Sequence, residues 1–352
     1  LEYDASGNPL GLLIEEARSN LVPYSDLSSG WNWVNTTDIG GAATAPDGTQ
    51  TATLMRENTA GTAHITLPAV VSASTSTTAS IFAKAGGRRY LQLTDSTNQP
   101  NWAMFDLEQG VVTEQKASGI TATIEPYGNG WYRCKAALTL PASGSTTNFV
   151  WGSSILATTN GLRNVYQGDG TSGIYLWGAQ VETGAFPTSY IPTSGSTVTR
   201  AADFASLPVE RFAFNATKGS VVVSVETLMT SGSKGIVSIE GNSSAENIGL
   251  FRGANGNLVY EVRSGSTTQA VFSVSPQVNT FKVAYVFANN YFNIAVNGVA
   301  QTSNTSGVVP TGLSAILIGG VYTVGDQYRT NGHIKQIQYY PKRLSNTELQ
   351  LL

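Results

Sequence analysis

Short runs of β-branched, aromatic and alternating residues, each bounded by Gly, Pro, Asn or Asp, fill this chain almost from end to end. No long stretch keeps the 3.6-residue apolar spacing of an amphipathic helix. Between residues 51 and 150 the runs fall at 51–56, 78–84, 89–95, 101–107, 111–115, 120–125, 131–140 and from 148 on to 157. Gly86-Gly87, Glu108-Gln109-Gly110 and Pro126-Tyr127-Gly128-Asn129-Gly130 separate neighbouring runs at hairpin spacing. With 174–182 as the last member, this set predicts an all-β sandwich, most simply a jelly roll.

The run 174–182 also marks a boundary. Pro187 and Pro192 follow it, and proline cannot donate to a sheet ladder. Ser194, Gly195, Ser196 and Thr197 then form a polar run without core-forming residues. Beyond it a second set of strands begins: 219–228, 235–240, 247–252, 258–263, 269–274, 280–288, 291–296, 315–319 and 333–340. Asn289-Asn290 and Asn297-Gly298 are type I′ turn candidates. This half is a second β-sandwich. Ser345 with Glu348 three residues on is a capping box for a short C-terminal helix carrying Leu349, Leu351 and Leu352. The expected organisation is a leading segment over 1–20, a jelly-roll domain over 21–193, a linker over 194–206 and a second sandwich over 207–352. In the leading segment, 3–9 is dense in turn formers and 11–16 is an apolar strand; 23–33 is expected to be a loop carrying Trp31 and Trp33.

A length of 352 residues suits two such domains. Hydrophobic residues make up 41%, enough for two cores, but charged residues only 12%, about half the usual share of roughly 25%. Thr, Ser, Asn, Gln and Gly must therefore supply the polar surface, a mix common in exported and virion-surface proteins. The formal charge of −3 gives no field to attract nucleic acid or an anionic membrane. Cys134 is the single cysteine, so no intramolecular disulfide forms, and it reads as a small apolar core residue. No signal peptide heads the chain and no run of about 18 apolar residues suggests a membrane span. The first residue is Leu rather than Met, which leaves room for a longer polypeptide.

Three motifs together carry a resemblance. They are Gly11-Leu12-Leu13-Ile14-Glu15-Glu16-Ala17-Arg18-Ser19-Asn20-Leu21, Gly128-Asn129-Gly130-Trp131-Tyr132-Arg133-Cys134, and Trp177-Gly178-Ala179-Gln180-Val181-Glu182 followed by Phe186-Pro187-Thr188-Ser189-Tyr190-Ile191-Pro192-Thr193. The set resembles the carbohydrate-binding-module-like jelly roll of phage tail fibres, phage head spikes (gene-transfer-agent head spikes included) and related virion proteins. In the other half, Val296-Asn297-Gly298, Leu317-Ile318-Gly319 and the stretch from Asn331 through Tyr339-Tyr340-Pro341 to Ser345 are similar to the concanavalin A-like (laminin G-like) lectin fold of the same proteins. The resemblance implies host recognition through bacterial surface polysaccharide, capsule or lipopolysaccharide. These motifs identify folds and bring no ligand residues with them.

Sugar recognition needs an aromatic platform for the apolar face of a pyranose and planar polar groups for its hydroxyls. Strand alternation places Tyr132, Cys134, Ala136 and Leu138 on a core face, with Trp131, Arg133 and Lys135 opposite. In 89–95, Leu91 and Leu93 point inward while Tyr90, Gln92 and Thr94 point outward. Phe82 and Lys84 share one face, which leaves that strand's orientation open. The expected glycan contacts are therefore Tyr90, Gln92, Trp102, Trp131 and Arg133, on one sheet face of the first domain. The alternative is that Trp131 and Arg133 close the sandwich, with Arg133 stacked on an aromatic ring. A rim loop of the second domain offers Asp326, Tyr328, Arg329 and Asn331, or is simply solvated. No cofactor is implied; both folds leave room for a structural calcium ion held by carboxylates and carbonyls, although no Asp-x-Asp-x-Asp run occurs.

Catalytic signatures are missing from the sequence. There is no Glu-x-Asp-x-x-Glu strand, nucleophile elbow, P-loop or dinucleotide fingerprint. Glu226, Glu240 and Glu261 fall on separate strands, and only His64 and His333 could serve a triad. The expectation is a non-catalytic, virion-surface adhesin, oligomeric so that weak sites act by avidity, with other virion proteins as partners. The alternatives are the carbohydrate-binding region of a larger polysaccharide-degrading enzyme, or a structural virion decoration.

Overall fold

The computed structural model describes residues 2–3, 6–68, 71–72, 76–95, 101–116, 118–139, 146–159, 163–227, 233–241, 245–275, 278–320 and 329–351. The chain forms two compact units, Arg18–Arg200 and a second made of Leu1–Ala17 with Ala201–Leu352. Both are antiparallel β-sandwiches, the first being the unit expected as a jelly roll.

In the first unit one sheet, here the front sheet, runs in the order Val111–Gln115, Trp102–Asp106, Tyr90–Asp95, Phe149–Ser154, His64–Pro68, Trp31–Val34. The back sheet runs Ile120–Pro126, Tyr132–Thr139, Ser76–Gly86, Gly173–Thr183, Ala52–Glu57, Thr36–Ala43. All pairings among these strands are antiparallel. Leu91, Leu93, Phe105, Phe149 and Trp151 of the front sheet meet Ile81, Ala83, Cys134, Ala136, Leu138, Ile174 and Leu176 of the back sheet in one core. Each large side chain so buried contributes about 1.5–3 kcal/mol. Cys134 is buried among them, and burial pushes its thiol pKa up.

Two local expectations are corrected. Gly86-Gly87 is no hairpin turn: Ser76–Gly86 and Tyr90–Asp95 lie in different sheets, and the glycines mark the crossing. Trp31–Val34 is an edge strand rather than part of a loop. Thr36–Ala43 is also a strand; its register with Ala52–Glu57 shifts between Ile39 and Ala43, so Gly40 and Gly41 sit in an irregularity.

The second unit pairs Pro9–Ile14, Gly332–Tyr340, Lys218–Thr227, Thr280–Ala288, Tyr291–Val296 and Val299–Ala300 in one sheet, with Glu2–Tyr3 at its edge. The other sheet holds Ala205–Pro208, Ala315–Ile318, Lys234–Glu240, Asn247–Arg252, Leu258–Ser264 and Thr267–Val274. Val221, Val223, Val225, Val283, Tyr285 and Phe287 pack against Val237, Ile239, Ile248, Leu250, Tyr260 and Val262. The leading segment is thus divided. Pro9–Ile14 pairs with Gly332–Tyr340 of this unit, whereas Arg18–Asn20 pairs with Val198–Arg200 of the jelly roll. Gly11 permits the first pairing: its φ is +122°, and a Cβ there would lie 2.7 Å from the Ile334 carbonyl oxygen. The helix Asn346–Leu351 is capped reciprocally by Ser345 and Glu348, and Leu344 and Leu349 pack on Val222, Ala284, Val286 and Ala295.

Candidate functional site

The five expected contact residues do not share one face. Tyr90, Gln92 and Trp102 stand on the outer face of the front sheet, where Thr94 pairs with Trp102 and Tyr90 with Asp106. A segment following Phe149–Ser154 crosses this face. The Gln92 amide donates to Thr159 Oγ1 (3.1 Å) and accepts from the Asn164 amide (2.9 Å). Nearby, Thr159 N donates to Glu114 (2.7 Å) and Thr113 Oγ1 to the Ala157 carbonyl (2.6 Å). Gln92 is therefore 2% exposed and acts as a latch. Tyr90 is half-buried, with the Arg89 guanidinium 5.2 Å from its ring centroid. Arg89 is held there by Asp106, with Nε to Oδ1 at 2.8 Å and Nη2 to Oδ2 at 2.5 Å. Burial opposes the charge on Asp106, yet Arg89 and the amides of Gln109 and Glu108 hold its carboxyl below the usual range.

Trp131 and Arg133 lie on the outer face of the back sheet, inside an aromatic layer. Trp131 is 2% exposed and donates Nε1–H to the Thr44 carbonyl (3.0 Å). Arg133 stacks 5.4 Å from the Phe82 centroid and donates to the Thr188 carbonyl (2.7 Å) and Ser80 Oγ (3.2 Å). Phe82, Trp177 and Tyr190 meet at 4.7–6.2 Å between centroids. The stretch after Gly173–Thr183 is pinned across part of this face. Gln180 accepts from Ile191 N (2.7 Å) and donates to the Thr188 and Ser189 carbonyls (both 3.3 Å). Glu182 accepts from Thr188 N (2.9 Å) and Thr188 Oγ1 (2.5 Å). The amide and carboxylate of the Trp177–Glu182 motif are thus occupied in fastening the chain's own next segment.

The open part of the back face lies one register row further along. Lys84, Tyr175, Leu54 and Ile39 stand side by side on four adjacent strands, each half-buried. The next row contains Gly86 paired with Gly173, and Gly173 paired with Arg56. A Cβ on Gly86 would fall 3.0 Å from both Tyr175 Cε2 and Leu54 Cδ1. The Tyr175 side chain therefore reaches toward Gly86, a position that has no side chain. Tyr127, 54% exposed, meets Phe82 edge-on at 4.8 Å. The Lys84 stem runs along the Gly128-Asn129-Gly130 turn, with Cε 3.4 Å from a Cβ position on Gly130. Among the described residues, neither Lys84 nor Arg56 has an ion-pair or hydrogen-bond partner.

A buried lock fixes this end of the sheet. Glu57, next to Arg56, takes Arg88 in a two-pronged pair (Nε at 2.8 Å, and Nη2), and also accepts from Tyr166 Oη (2.7 Å) and Asp169 N (2.7 Å). Arg88 follows the Gly86-Gly87 crossing, so one pair holds both strand ends that flank Tyr175. The Glu57 hydrogen bond raises the Arg88 guanidinium further above its already high pKa, although burial opposes the charge. Sequence patterning missed Tyr175 because 174–182 reads as one long strand with no face singled out; its signal was Gly86, whose missing side chain leaves the ring room.

Of the rim-loop residues in the second unit, Asp326 and Tyr328 lie outside the described residues. Arg329 is buried with its guanidinium 5.5 Å from the Phe204 ring centroid. Asn331 is buried, and its Oδ1 accepts from Glu16 N (2.7 Å). Glu16 in turn pairs with Lys234 at 2.5 Å. Asn331 thus helps dock the leading segment, while Arg329 packs on Phe204 of the 194–206 stretch. Among the described residues, no group of three or more His, Cys, Asp or Glu side chains is placed to hold a metal ion.

No protein-family model matches the chain, and neither does any curated protein. Solved structures similar to it include the NanB sialidase of Streptococcus pneumoniae, at 14% identity over 42% of this chain and 26% of that one, with a TM-score of 0.36. The leech intramolecular trans-sialidase is similar at 17% identity over 42% and 25%, with a TM-score of 0.36. The CBM40 of the Ruminococcus gnavus IT-sialidase, solved also bound to alpha2,3 sialyllactose, is similar at 19% identity over 39% and 82%, with a TM-score of 0.34. The match thus spans about a quarter of the length of the two sialidases.

Proposed function

We propose that this chain is a non-catalytic glycan-binding protein, displayed on the surface of a phage or phage-like particle as a tail fibre or head spike. Its ligand is bacterial surface polysaccharide, capsule or lipopolysaccharide. The observation that carries glycan binding is the half-buried Tyr175 side chain reaching toward Gly86 on the outer face of the back sheet, beside Leu54 and Lys84. An aromatic ring in that position can stack on the C–H side of a pyranose and bury apolar area against it. Trp131, Phe82, Trp177 and Arg133 form the layer beside it. The virion setting rests on the resemblance of the Gly128–Cys134 and Trp177–Thr193 motifs, and on a surface poor in charge. One site of this kind is weak, so repeated copies in a homo-oligomer, assembled with other virion proteins, supply avidity.

The test is pull-down by capsule and lipopolysaccharide from a panel of bacteria, with a reducing-sugar assay alongside. Binding lost in Tyr175→Ala and no release of reducing ends is the expected result. Full binding by Tyr175→Ala, with loss in Tyr90→Ala or Trp102→Ala, moves the site to the front sheet. Turnover of the polysaccharide overturns the non-catalytic reading.

A further inference from the structure

We infer that the Tyr175 platform selects acidic saccharides, those carrying uronate or other carboxylate-bearing sugars, through Lys84 and Arg56. The inference rests on the glycan-binding reading above and narrows it to a class of sugar. Lys84 is the cross-strand neighbour of Tyr175, and Arg56 stands one row further on, across Gly173 from Gly86. Both are half-buried and without a counter-ion among the described residues. A cation held part-way out of water with no partner is a ready position for an incoming anion.

Four carboxylates near this face are already engaged, while Asp26 and Asp47, by Tyr190, accept among the described residues only from Ser28 and Thr49 of their own turns. Glu182 is bound by Thr188, Glu125 pairs with Lys135, and Glu57 is closed by Arg88, Tyr166 and Asp169 N. Asp169 accepts from Thr171 N, Ser172 N, Ser172 Oγ and Arg88. The sheet between the two cations carries Gly86 and Gly173, and the side chains that approach the Gly86 position are the Tyr175 ring and Leu54. A sugar ring stacked on Tyr175 would have a cation on either side, within reach of an equatorial carboxylate or of carboxylates on consecutive residues.

The experiment uses the full chain and a panel of uronate-containing bacterial capsular polysaccharides, each beside its carboxyl-reduced, neutral counterpart. Affinity is read by electrophoresis through gels containing each polymer, at low and at high salt. The expected result is at least one acidic polymer bound about tenfold more tightly than its reduced form. Lys84→Gln and Arg56→Gln are each expected to weaken acidic binding about three- to tenfold, more than they weaken binding of the neutral form. Added salt should weaken only acidic binding. Equal binding of acidic and reduced forms, unaffected by either substitution but lost in Tyr175→Ala, overturns this inference and leaves the platform standing. No binding to any pair, or binding indifferent to Tyr175→Ala, overturns both. Thermal melts confirm that each variant is folded.

Discussion

Replacing Glu57 with Gln tests whether the lock beside the platform is as tight as its geometry implies. The carboxylate is 1% exposed and receives four donors: Arg88 Nε and Nη2, Tyr166 Oη and Asp169 N. A glutamine amide keeps one acceptor oxygen and turns the other into a donor. Whichever way it flips, its NH2 faces either Arg88 Nε with Tyr166 Oη, or Arg88 Nη2 with Asp169 N. Tyr166 can rotate to accept; Arg88 and the Asp169 amide cannot. Breaking a buried pair costs about 3–5 kcal/mol, because one partner is left charged and desolvated. Arg88 is 17% exposed and still reaches Asp169 at 3.0 Å, so the expected loss is smaller, about 2–4 kcal/mol. For a domain of this size that lowers the melting temperature of the jelly-roll unit by about 5–15 °C. Calorimetry of the full chain reads it, with Glu125→Gln as the control. Glu125 pairs with Lys135 at the surface, and its loss should cost less than about 1 kcal/mol. A Glu57→Gln protein that melts within 2 °C of wild type (less than about 1 kcal/mol) would refute the lock.

Gly86→Ala should leave stability within about 1 kcal/mol, because the entropic gain of Gly→Ala offsets the crowding. It should still weaken glycan binding about three- to tenfold, since the new methyl would sit 3.0 Å from Tyr175 Cε2 and tilt the ring; gel affinity and a thermal melt report both. Cys134 is buried with its thiol pKa raised, so a disulfide reagent should react with it only as the protein unfolds, and immediate labelling of the native chain would contradict the core placement. Ser345 N, Ser345 Oγ and Lys342 bind the Glu348 carboxylate and hold its pKa down to about 2, against 4.5 unperturbed. A lowered folded-state pKa stabilises fully above pH 4.5, and that contribution disappears as the pH falls toward 2. The stability gap between wild type and Glu348→Gln should therefore close across that window in melts at graded pH; a gap constant with pH would rule out the capping-box charge as its source.

Local chemistry was legible where it acts over a few residues. Asn289-Asn290 joins Thr280–Ala288 to Tyr291–Val296, Ser345 caps the C-terminal helix, and the alternation in Tyr90–Asp95 and Tyr132–Thr139 places Leu91, Leu93, Cys134 and Ala136 in the core as patterned. Pairing partners far along the chain were not legible. Nothing in the apolar run of Pro9–Ile14 says that it will pair with Gly332–Tyr340, more than 300 residues away. Gly86-Gly87 carries the same signal for a hairpin as for a crossing between sheets. Alternation also tells which residues point outward but not what covers them afterwards. Gln92 points outward and is buried by Thr159 and Asn164, and Trp131 points outward into an aromatic layer. Tyr175, on a half-buried row, came into view only with the register of its neighbours.

The most direct measurement is affinity of the full chain for the surface polysaccharide of a panel of bacteria, compared between wild type and Tyr175→Ala. The account predicts weak but specific retention by at least one polysaccharide, falling about five- to tenfold when the ring is removed while the fold persists. Retention unchanged by the substitution, or no retention on any surface tested, would contradict it.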